Sequence, residues 1–234
     1  GKYILIHLSK NKTILVHMKM TGHFLYGKYV FANNKWKSSD PYLKDPFNGF
    51  IRFLLKLSNG KSLAFSDMRK FATVRLFETD TLDQSIHLKD LGLDPLKDLD
   101  LKTLKNQLFK KPSLKIKTAL MDQTILAGIG NIYSDEILWQ SEIHPEKRIS
   151  DLENKDFKKI LKSMIEILNK SISMGGDSMS DYRNIYGQKG GFQDAHKVYR
   201  KTKTICGKKG CGGTIKRIIV GGRSTHFCDT HQKL

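Results

Sequence analysis

The sequence predicts an α+β protein in which β structure comes first, helices follow, and the chain ends in a metal-binding hairpin. Three observations predict this order. Short segments rich in branched and aromatic residues fill residues 1 to about 78, and apolar residues recur every three or four positions from about residue 99. All three cysteines lie in the last 29 residues. The many short strands are typical of a β-sandwich or a barrel.

The β part contains five predicted strands, separated by turn-forming residues such as Ser58-Asn59-Gly60. Each segment alternates or clusters branched and aromatic side chains in the way that strands do. They cover residues 3–8, 13–18, 50–55, 62–65 and 73–77. The polar segment that follows contains Asp94-Pro95 and is typical of a boundary between domains.

The helical part begins where Leu101, Leu104 and Leu108 establish a helical period. A long helix is predicted from Ser150, because Ser150 and Glu153 have the spacing of a capping box. Gly175-Gly176 is expected to end it, and residues 177–200 then form a loop with little periodicity. One apolar face of the long helix is predicted to face the core, and it comprises Phe157, Ile160, Leu161, Met164, Ile165, Leu168 and Ile172.

The stretch from Leu120 to Gln140 is predicted to be a glycine turn followed by a helix. Gly128 and Gly130 form the turn, and Asn131 opens a helix with Ile129, Ile132, Tyr133 and Ile137 on one face and polar residues on the other. A helix N-terminus after glycines favours an anion such as a phosphate. The pattern fits equally an ordinary corner that uses glycine for geometry alone.

The last residues supply four possible ligands for one metal ion. Cys206 and Cys211 are four residues apart, Cys228 and His231 are two apart, and a tight turn at Gly221-Gly222 is predicted to bring the pairs together. Two pairs of sulfur and imidazole ligands are typical of a structural zinc site, whereas free thiols are the simpler alternative. His226 is a competing ligand, but the spacing favours His231.

The charge of the chain predicts a polyanionic partner. Lys and Arg number 41 against 23 Asp and Glu, which gives a formal net charge of +18. A generally lysine-rich composition would be the alternative. The sequence has no run of 18 apolar residues and no signal-peptide pattern, so we expect no membrane association and a cytoplasmic protein. Because residue 1 is Gly and leads directly into a strand, we expect the sequence to be part of a longer chain.

Several motifs, taken together, resemble those of the formamidopyrimidine-DNA glycosylases, to which bacterial endonuclease VIII is related. The motifs are LMDQ, AGIGNIYSDEIL, Ile143-His144-Pro145, Val198-Tyr199 and Gly222-Arg223-Ser224-Thr225, in the order in which the family has them. The resemblance implies a β-sandwich, a helix-two-turn-helix domain and a C-terminal zinc finger. It also implies a nucleoid-associated, monomeric repair enzyme that excises oxidised purines from duplex DNA and cuts the abasic strand by β and δ elimination.

The resemblance assigns roles to individual residues. Lys2 matches a proton donor in β elimination, and Arg223 matches the finger arginine that binds phosphate and serves δ elimination. Residues 177–200 match the loop that closes over the extruded base. The side chains that fill the space left by that base are matched by Met20, Arg69 and Phe71, and contacts with the DNA backbone are matched by Lys117, Gly130 and Asn131. Plain core packing is the alternative for Met20 and Phe71.

The sequence also departs from the family pattern. The first cysteine pair has four intervening residues where the family has two, and His231 stands where a Cys is usual. The N-terminal proline nucleophile and the glutamate after it are not found at positions 1 and 2. A catalytically inactive duplex-binding or damage-binding module is therefore the alternative function. The expected domains are a sandwich at 1–80, a linker at 81–98, the helix-two-turn-helix domain at 99–200 and the zinc finger at 201–234.

Overall fold

The protein is described here from a computed structural model, which covers residues 1–179 and 181–234. Ser180, within the loop predicted at 177–200, lies outside the described residues. The chain divides into two compact units. One contains residues 2–85 and 171–194, and the other contains Gly1 with residues 86–170 and 195–234. Most of the predicted loop thus belongs to the β unit, while the predicted domain boundaries stay predictions.

The β unit contains two antiparallel three-stranded sheets. The first has the order β1-β2-β8 and consists of Tyr3–Leu8, Lys12–His17 and Thr73–Glu78. The second has the order β3-β7-β6 and consists of His23–Gly27, Ser62–Ser66 and Ile51–Lys56. Val16 from the first sheet packs with Phe24 and Phe65 from the second in one apolar cluster. Of the two predicted architectures, the β-sandwich is therefore confirmed and the barrel is not.

All five predicted strands are present within one or two residues, but three further strands were missed. The first, β3, reads HFLYG and has four buried residues out of five, so it lacks the alternation that marks a half-exposed strand. The others, β4 (Tyr29–Ala32) and β5 (Lys35–Ser38), form a separate two-stranded hairpin. Its turn is Asn33-Asn34, where both residues have a left-handed backbone.

The helical unit contains α1 (Leu101–Leu108), α2 (Ile116–Met121) and α3 (Asn131–Ser141), together with most of α4 (Asn154–Ser173). Helices α2 and α3 pack against each other. Among the described residues, we find no helix with the length and apolar character needed to cross a membrane.

The predicted start of the long helix is wrong. Ser150 lies in a 3-10 turn and its hydroxyl donates to Asp151, while α4 begins four residues later at Asn154. The side chain of Asp156 accepts the backbone N–H of Glu153 there, at 3.1 Å. A real capping box occurs instead at α1, between Asp100 and Thr103.

The predicted apolar face of α4 is only partly correct. Phe157, Ile160 and Met164 are fully buried, as expected. Ile165 and Ile172 are exposed, and Ile167 is buried in their place. The buried face therefore lies one position away from the predicted one along its second half.

The chain ends in a hairpin of β9 (Ile215–Val220) and β10 (Arg223–Cys228), as predicted. Gly221 and Gly222 both have a positive φ, as a two-residue turn between twisted strands requires. Strand β10 packs against α3. The hairpin is thereby attached to the helix that follows the glycine turn.

Candidate nucleic-acid interface and metal centre

Cys206, Cys211, Cys228 and His231 come together at the base of the β9–β10 hairpin. Their ligand atoms all lie within 4.8 Å of one another. The Sγ atom of Cys211 is 3.5 Å from the Sγ atom of Cys228 and 3.3 Å from Nδ1 of His231. Three sulfurs and one imidazole nitrogen at these distances suit a single tetrahedral metal ion. The predicted set of ligands is therefore confirmed as a cluster that can hold a metal.

The groups around the cluster orient its ligands. Nε2 of His231 lies 3.3 Å from the carbonyl oxygen of Trp139, so it carries the proton and leaves Nδ1 free to face the sulfurs. Burial lowers the pKa of His231, which favours the neutral ring that a metal binds. The indole N–H of Trp139 donates to Sγ of Cys206 at 3.3 Å. Such second contacts are what a metal site needs besides its ligands.

His226, the competing ligand, is used elsewhere. Its ring Nδ1 and its backbone N both lie 3.0 Å from Oδ2 of Asp135. Asp135 is on α3 and is 1 % exposed. His226 thus joins the hairpin to the helix and does not belong to the metal cluster.

The other oxygen of Asp135 binds Lys117, whose side chain is completely buried. The ammonium group of Lys117 lies 2.5 Å from Oδ1 of Asp135, 2.8 Å from Oγ of Ser134 and 3.0 Å from the carbonyl oxygen of Asn131. These three acceptors match its three N–H donors. Burial lowers the pKa of Lys117, and the adjacent carboxylate opposes that effect. The contact with phosphate predicted for Lys117 stays a prediction, and the structure shows instead how this side chain holds the start of α3.

The polar residues predicted on the second side of α3 are buried, as its apolar face is. Ser134, Asp135 and Glu136 are each at most 3 % exposed. The carboxylate of Glu136 accepts the backbone N–H groups of residues 197, 198 and 199, at 2.9 to 3.0 Å. The helix is buried on both faces because the chain leading into the hairpin and the hairpin itself cover its polar side. Asp135, Glu136 and His226 thus position α3 and the hairpin, and spacing alone did not reveal these contacts.

The start of α3 and the tip of the hairpin are held together. The side-chain amide of Asn131, the first residue of α3, donates to the carbonyl oxygen of Ser224 at 3.0 Å. Gly130 is the N-cap residue and forms no side-chain cap, so the first N–H groups of the helix are not covered by a side chain. The neighbour of Ser224, Arg223, is exposed at the start of β10. A helix N-terminus, an amide and a guanidinium therefore lie in one part of the helical unit.

The β unit places Met20, Arg69 and Phe71 side by side on its surface. The guanidinium of Arg69 lies 3.1 Å from Sδ of Met20 and 4.7 Å from the ring centre of Phe71. Met20 is 65 % exposed and Phe71 is 55 % exposed. Neither is a core residue, so the core-packing alternative does not hold for them. We call these three residues the wedge.

The two loops that carry the wedge are joined by buried Asp67. One of its oxygens accepts the hydroxyl of Thr21, next to Met20, and the other accepts the backbone N–H of Ala72 at 3.0 Å. Burial would raise the pKa of Asp67, but these hydrogen bonds lower it below its usual value. Arg52 donates to the carbonyl oxygen of the same residue at 2.7 Å. The charged carboxylate of Asp67 thus holds in place the two loops that carry the exposed wedge.

Lys2 is exposed immediately before β1, within the β unit. Burial, and after it the positive charges of Lys19 and Lys2, lower the pKa of His17. Lys2 thus contributes to a positive region at the edge of the first sheet. Its predicted role in elimination stays a prediction.

The loop predicted to close over a base is hydrogen-bonded to the β unit along residues 183–187. The Arg183 guanidinium is 1 % exposed and lies 3.0 Å from a carboxylate oxygen of Asp45. The backbone N–H of Tyr26 donates to the carbonyl oxygen of Ile185 at 2.7 Å. The side-chain amide of Asn48 donates to the carbonyl oxygen of Gly187 at 3.3 Å. Arg183 and Asp45 lie 138 residues apart in the sequence, so no local pattern predicted their pairing.

A two-sheet unit with an exposed wedge, and a helical unit that ends in a cysteine and histidine hairpin, fit the class of helix-two-turn-helix proteins, and the hairpin is compatible with a zinc finger. Family comparisons agree with this class. The model described as the formamidopyrimidine-DNA glycosylase N-terminal domain matches residues 1–74, and that of the H2TH domain matches residues 91–183. The chain belongs to the formamidopyrimidine-DNA glycosylase family.

Individual relatives are similar along the whole chain. The formamidopyrimidine-DNA glycosylases of Streptococcus mutans and Pelotomaculum thermopropionicum are 36 % and 34 % identical, and the alignment covers all of this chain and 79 % of each relative. Among solved structures, Lactococcus lactis Fpg bound to DNA with an abasic site is 33 % identical, with a TM-score of 0.82 over 100 % of this chain and 80 % of that one. MutM bound to DNA with carbocyclic 8-oxo-G has a TM-score of 0.81, 33 % identity, and coverage of 100 % and 79 %.

Proposed function

We propose that this protein is a base-excision repair enzyme, a bifunctional DNA glycosylase and AP lyase. Its substrates are oxidised purines, namely 8-oxoguanine and formamidopyrimidines, in duplex DNA. After the base is removed, the abasic strand is cut by β and δ elimination. The observation that carries this proposal is the exposed wedge, in a chain that belongs to a family of DNA glycosylases.

The wedge has the chemistry needed to hold DNA with one base extruded. Removing a base from the stack costs a few kcal/mol, and apolar side chains inserted into the gap recover part of the lost stacking. Met20 and Phe71 offer apolar surface that the fold does not use, and Arg69 lies between them. We assign Arg69 to the base left without a partner, because a guanidinium can donate to the acceptors on its edge.

The helical unit supplies the contacts with the DNA backbone. The uncovered N–H groups at Gly130, the start of α3, suit a phosphate, as does the exposed guanidinium of Arg223. We assign Asn131 to the same site. Lys117 acts on this site through Asn131 and Asp135, because all its N–H donors are engaged. The net charge of +18 supports the attraction to DNA in general.

The four-ligand cluster fits a structural Zn²⁺ ion. Bound Zn²⁺ would cross-link the two ends of the hairpin that carries Arg223. Cys206, Cys211, Cys228 and His231 would hold it, and the carbonyl of Trp139 would keep His231 in the correct tautomer. The metal takes no part in the reaction steps.

Two side chains are assigned to the elimination steps. Lys2 donates the proton in β elimination, and Arg223 binds the phosphate that leaves in δ elimination. Both are exposed, as groups that meet a substrate must be. A DNA substrate implies that the protein acts in the cytoplasm with the nucleoid, and we propose that it acts as a monomer.

Borohydride trapping on a duplex with 8-oxoguanine tests this function. An amine that forms a Schiff base with the sugar is reduced by borohydride to a stable adduct, so the protein is expected to become linked to the damaged duplex and not to an undamaged one. Lys2→Ala should reduce strand cleavage. Lys10→Ala, which removes another exposed lysine, is the control and should not reduce it. Absence of base release and of trapping would overturn the proposal. Tight binding of damaged duplex without either would favour the binding module.

A further inference from the structure

The β4–β5 hairpin, residues 29–38, carries aromatic surface that the fold leaves in water. Phe31 is directly opposite Trp36 in the register, and their ring centres are 5.1 Å apart. Phe31 is 61 % exposed, and its neighbour Val30 is 65 % exposed. Two-stranded hairpins are marginally stable by themselves, and apolar side chains in water do nothing to stabilise them. Exposed apolar surface of this kind marks a binding site.

The charged side chains of this hairpin are all lysines, and they alternate onto the face opposite to the two rings. Residues 28–38 include Lys28, Lys35 and Lys37 and contain no Asp or Glu. The nearest acid along the chain is Asp40, which lies outside the hairpin and accepts the backbone N–H of Lys28 at 3.2 Å. The ligand that complements this hairpin is therefore an anion with apolar, planar parts.

We propose that the β4–β5 hairpin is a second nucleic-acid contact, which binds unpaired nucleotides of single-stranded DNA. Bases would stack on Phe31 and Trp36, and the phosphates would run along the edges of the hairpin, where the long lysine side chains of the other face can reach them. A duplex keeps its bases inside the stack, so only unpaired bases can reach the rings. An acidic protein segment would satisfy the lysines, but its carboxylates gain nothing from stacking. This surface is additional to the duplex site of the proposed function and does not depend on it.

Trp36 provides a direct probe of this contact. The chain has two tryptophans, of which Trp139 is 8 % exposed and Trp36 is half-buried in the hairpin. Titration with the single-stranded oligonucleotide (dT)12 is expected to quench the fluorescence of the full chain and not that of Trp36→Phe. Phe31→Leu keeps an apolar side chain without the ring and should weaken binding of (dT)12 about tenfold, within the range for one base stacked on an aromatic ring.

Controls separate stacking from charge and from loss of the fold. Val30→Ala, on the other face of the hairpin, should leave the affinity for (dT)12 unchanged. The double variant Lys35→Ala and Lys37→Ala should weaken binding and reduce its dependence on salt, because fewer counterions are released. The melting temperature of each variant, and its affinity for a duplex with an abasic-site analogue, should match those of the original chain.

Three results would overturn the proposal. The first is no quenching of Trp36 by (dT)12, and the second is the same affinity for (dT)12 in Phe31→Leu as in the original chain. The third is quenching by a poly-glutamate peptide with an affinity equal to that of (dT)12, which would indicate an acidic protein partner. None of these results would affect base excision from duplex DNA, so failure here is distinguishable from failure of the proposed function.

Discussion

Asp135→Asn is expected to be one of the most damaging conservative substitutions in the helical unit. The carboxylate is 1 % exposed and neutralises Lys117, which is completely buried, while its other oxygen binds strand β10 at His226. Asparagine keeps the shape of the side chain and can still accept hydrogen bonds. It cannot neutralise the ammonium, so the variant leaves a positive charge without a counter-charge in the interior.

The expected cost follows from this burial. Removing one partner of a buried ion pair destabilises proteins by about 3–5 kcal/mol, because the remaining charge is desolvated and unpaired. Exposed pairs contribute about 0–1 kcal/mol. Glu153→Gln is the matched control, since Glu153 and its partner Lys155 are 65 % and 70 % exposed. The two substitutions make the same chemical change and differ mainly in burial.

Urea unfolding at equilibrium, followed by tryptophan fluorescence, measures both costs. The loss of stability in Asp135→Asn should shrink as the pH rises toward about 10, the usual pKa of lysine. In the folded variant Lys117 then loses its proton, and a neutral amine needs no counter-charge. The unfolded chain still binds that proton in this range, so the stability of the variant rises with pH. A loss of unfolding free energy below about 1 kcal/mol, or a loss that does not depend on pH in this range, would contradict the role of Asp135 as the counter-charge of Lys117.

Three further predictions concern other parts of the fold. Removing the metal with a chelator, or replacing Cys228 by Ser, should lower the melting temperature and weaken duplex binding, and an unchanged melting temperature would contradict a structural metal. Gly22→Ala should cost about 1–3 kcal/mol, because its Cβ would lie 2.6 Å from the carbonyl oxygen of Met18 and 2.8 Å from the ring of Phe65. Gly49→Ala has no atom within 4 Å of its Cβ and is the control in the same unfolding assay; equal costs would contradict the steric reasoning. Hydrogen bonds from Lys159 and Lys208 lower the pKa of Glu142 to about 2, so this group stabilises the fold above pH 4.5, and that contribution is lost as the pH falls from 4.5 toward 2. Glu142→Gln should flatten the dependence of stability on pH in this interval, and an unchanged dependence would contradict the assignment.

Patterns over a few residues predicted much of this fold. Strand β1 was predicted with its observed bounds, and the β9–β10 hairpin with its glycine turn and metal ligands was found because spacing alone defines such a site. Strand β3 was missed because nearly all of it is buried and it shows no alternation. The capping box at Ser150 was wrong because the chain forms a 3-10 turn there, which the motif cannot reveal.

The parts of the candidate site that were not predicted depend on partners distant in sequence. Asp135 is 18 residues from Lys117 and 91 residues from His226, and nothing in the local sequence indicates that the three meet in the interior. The same holds for the pairing of Arg183 with Asp45. The wedge residues were predicted from resemblance, whereas their exposure and mutual contact are properties of the folded chain.

The proposed function is tested most directly by the affinity of this chain for two duplexes that differ only by an abasic-site analogue. We predict tighter binding of the duplex with the analogue, and a preference that falls when Met20 and Phe71 are replaced by Ala. Both affinities should fall steeply with salt, since several phosphates are neutralised. Equal affinity for the two duplexes, with little dependence on salt, would contradict it.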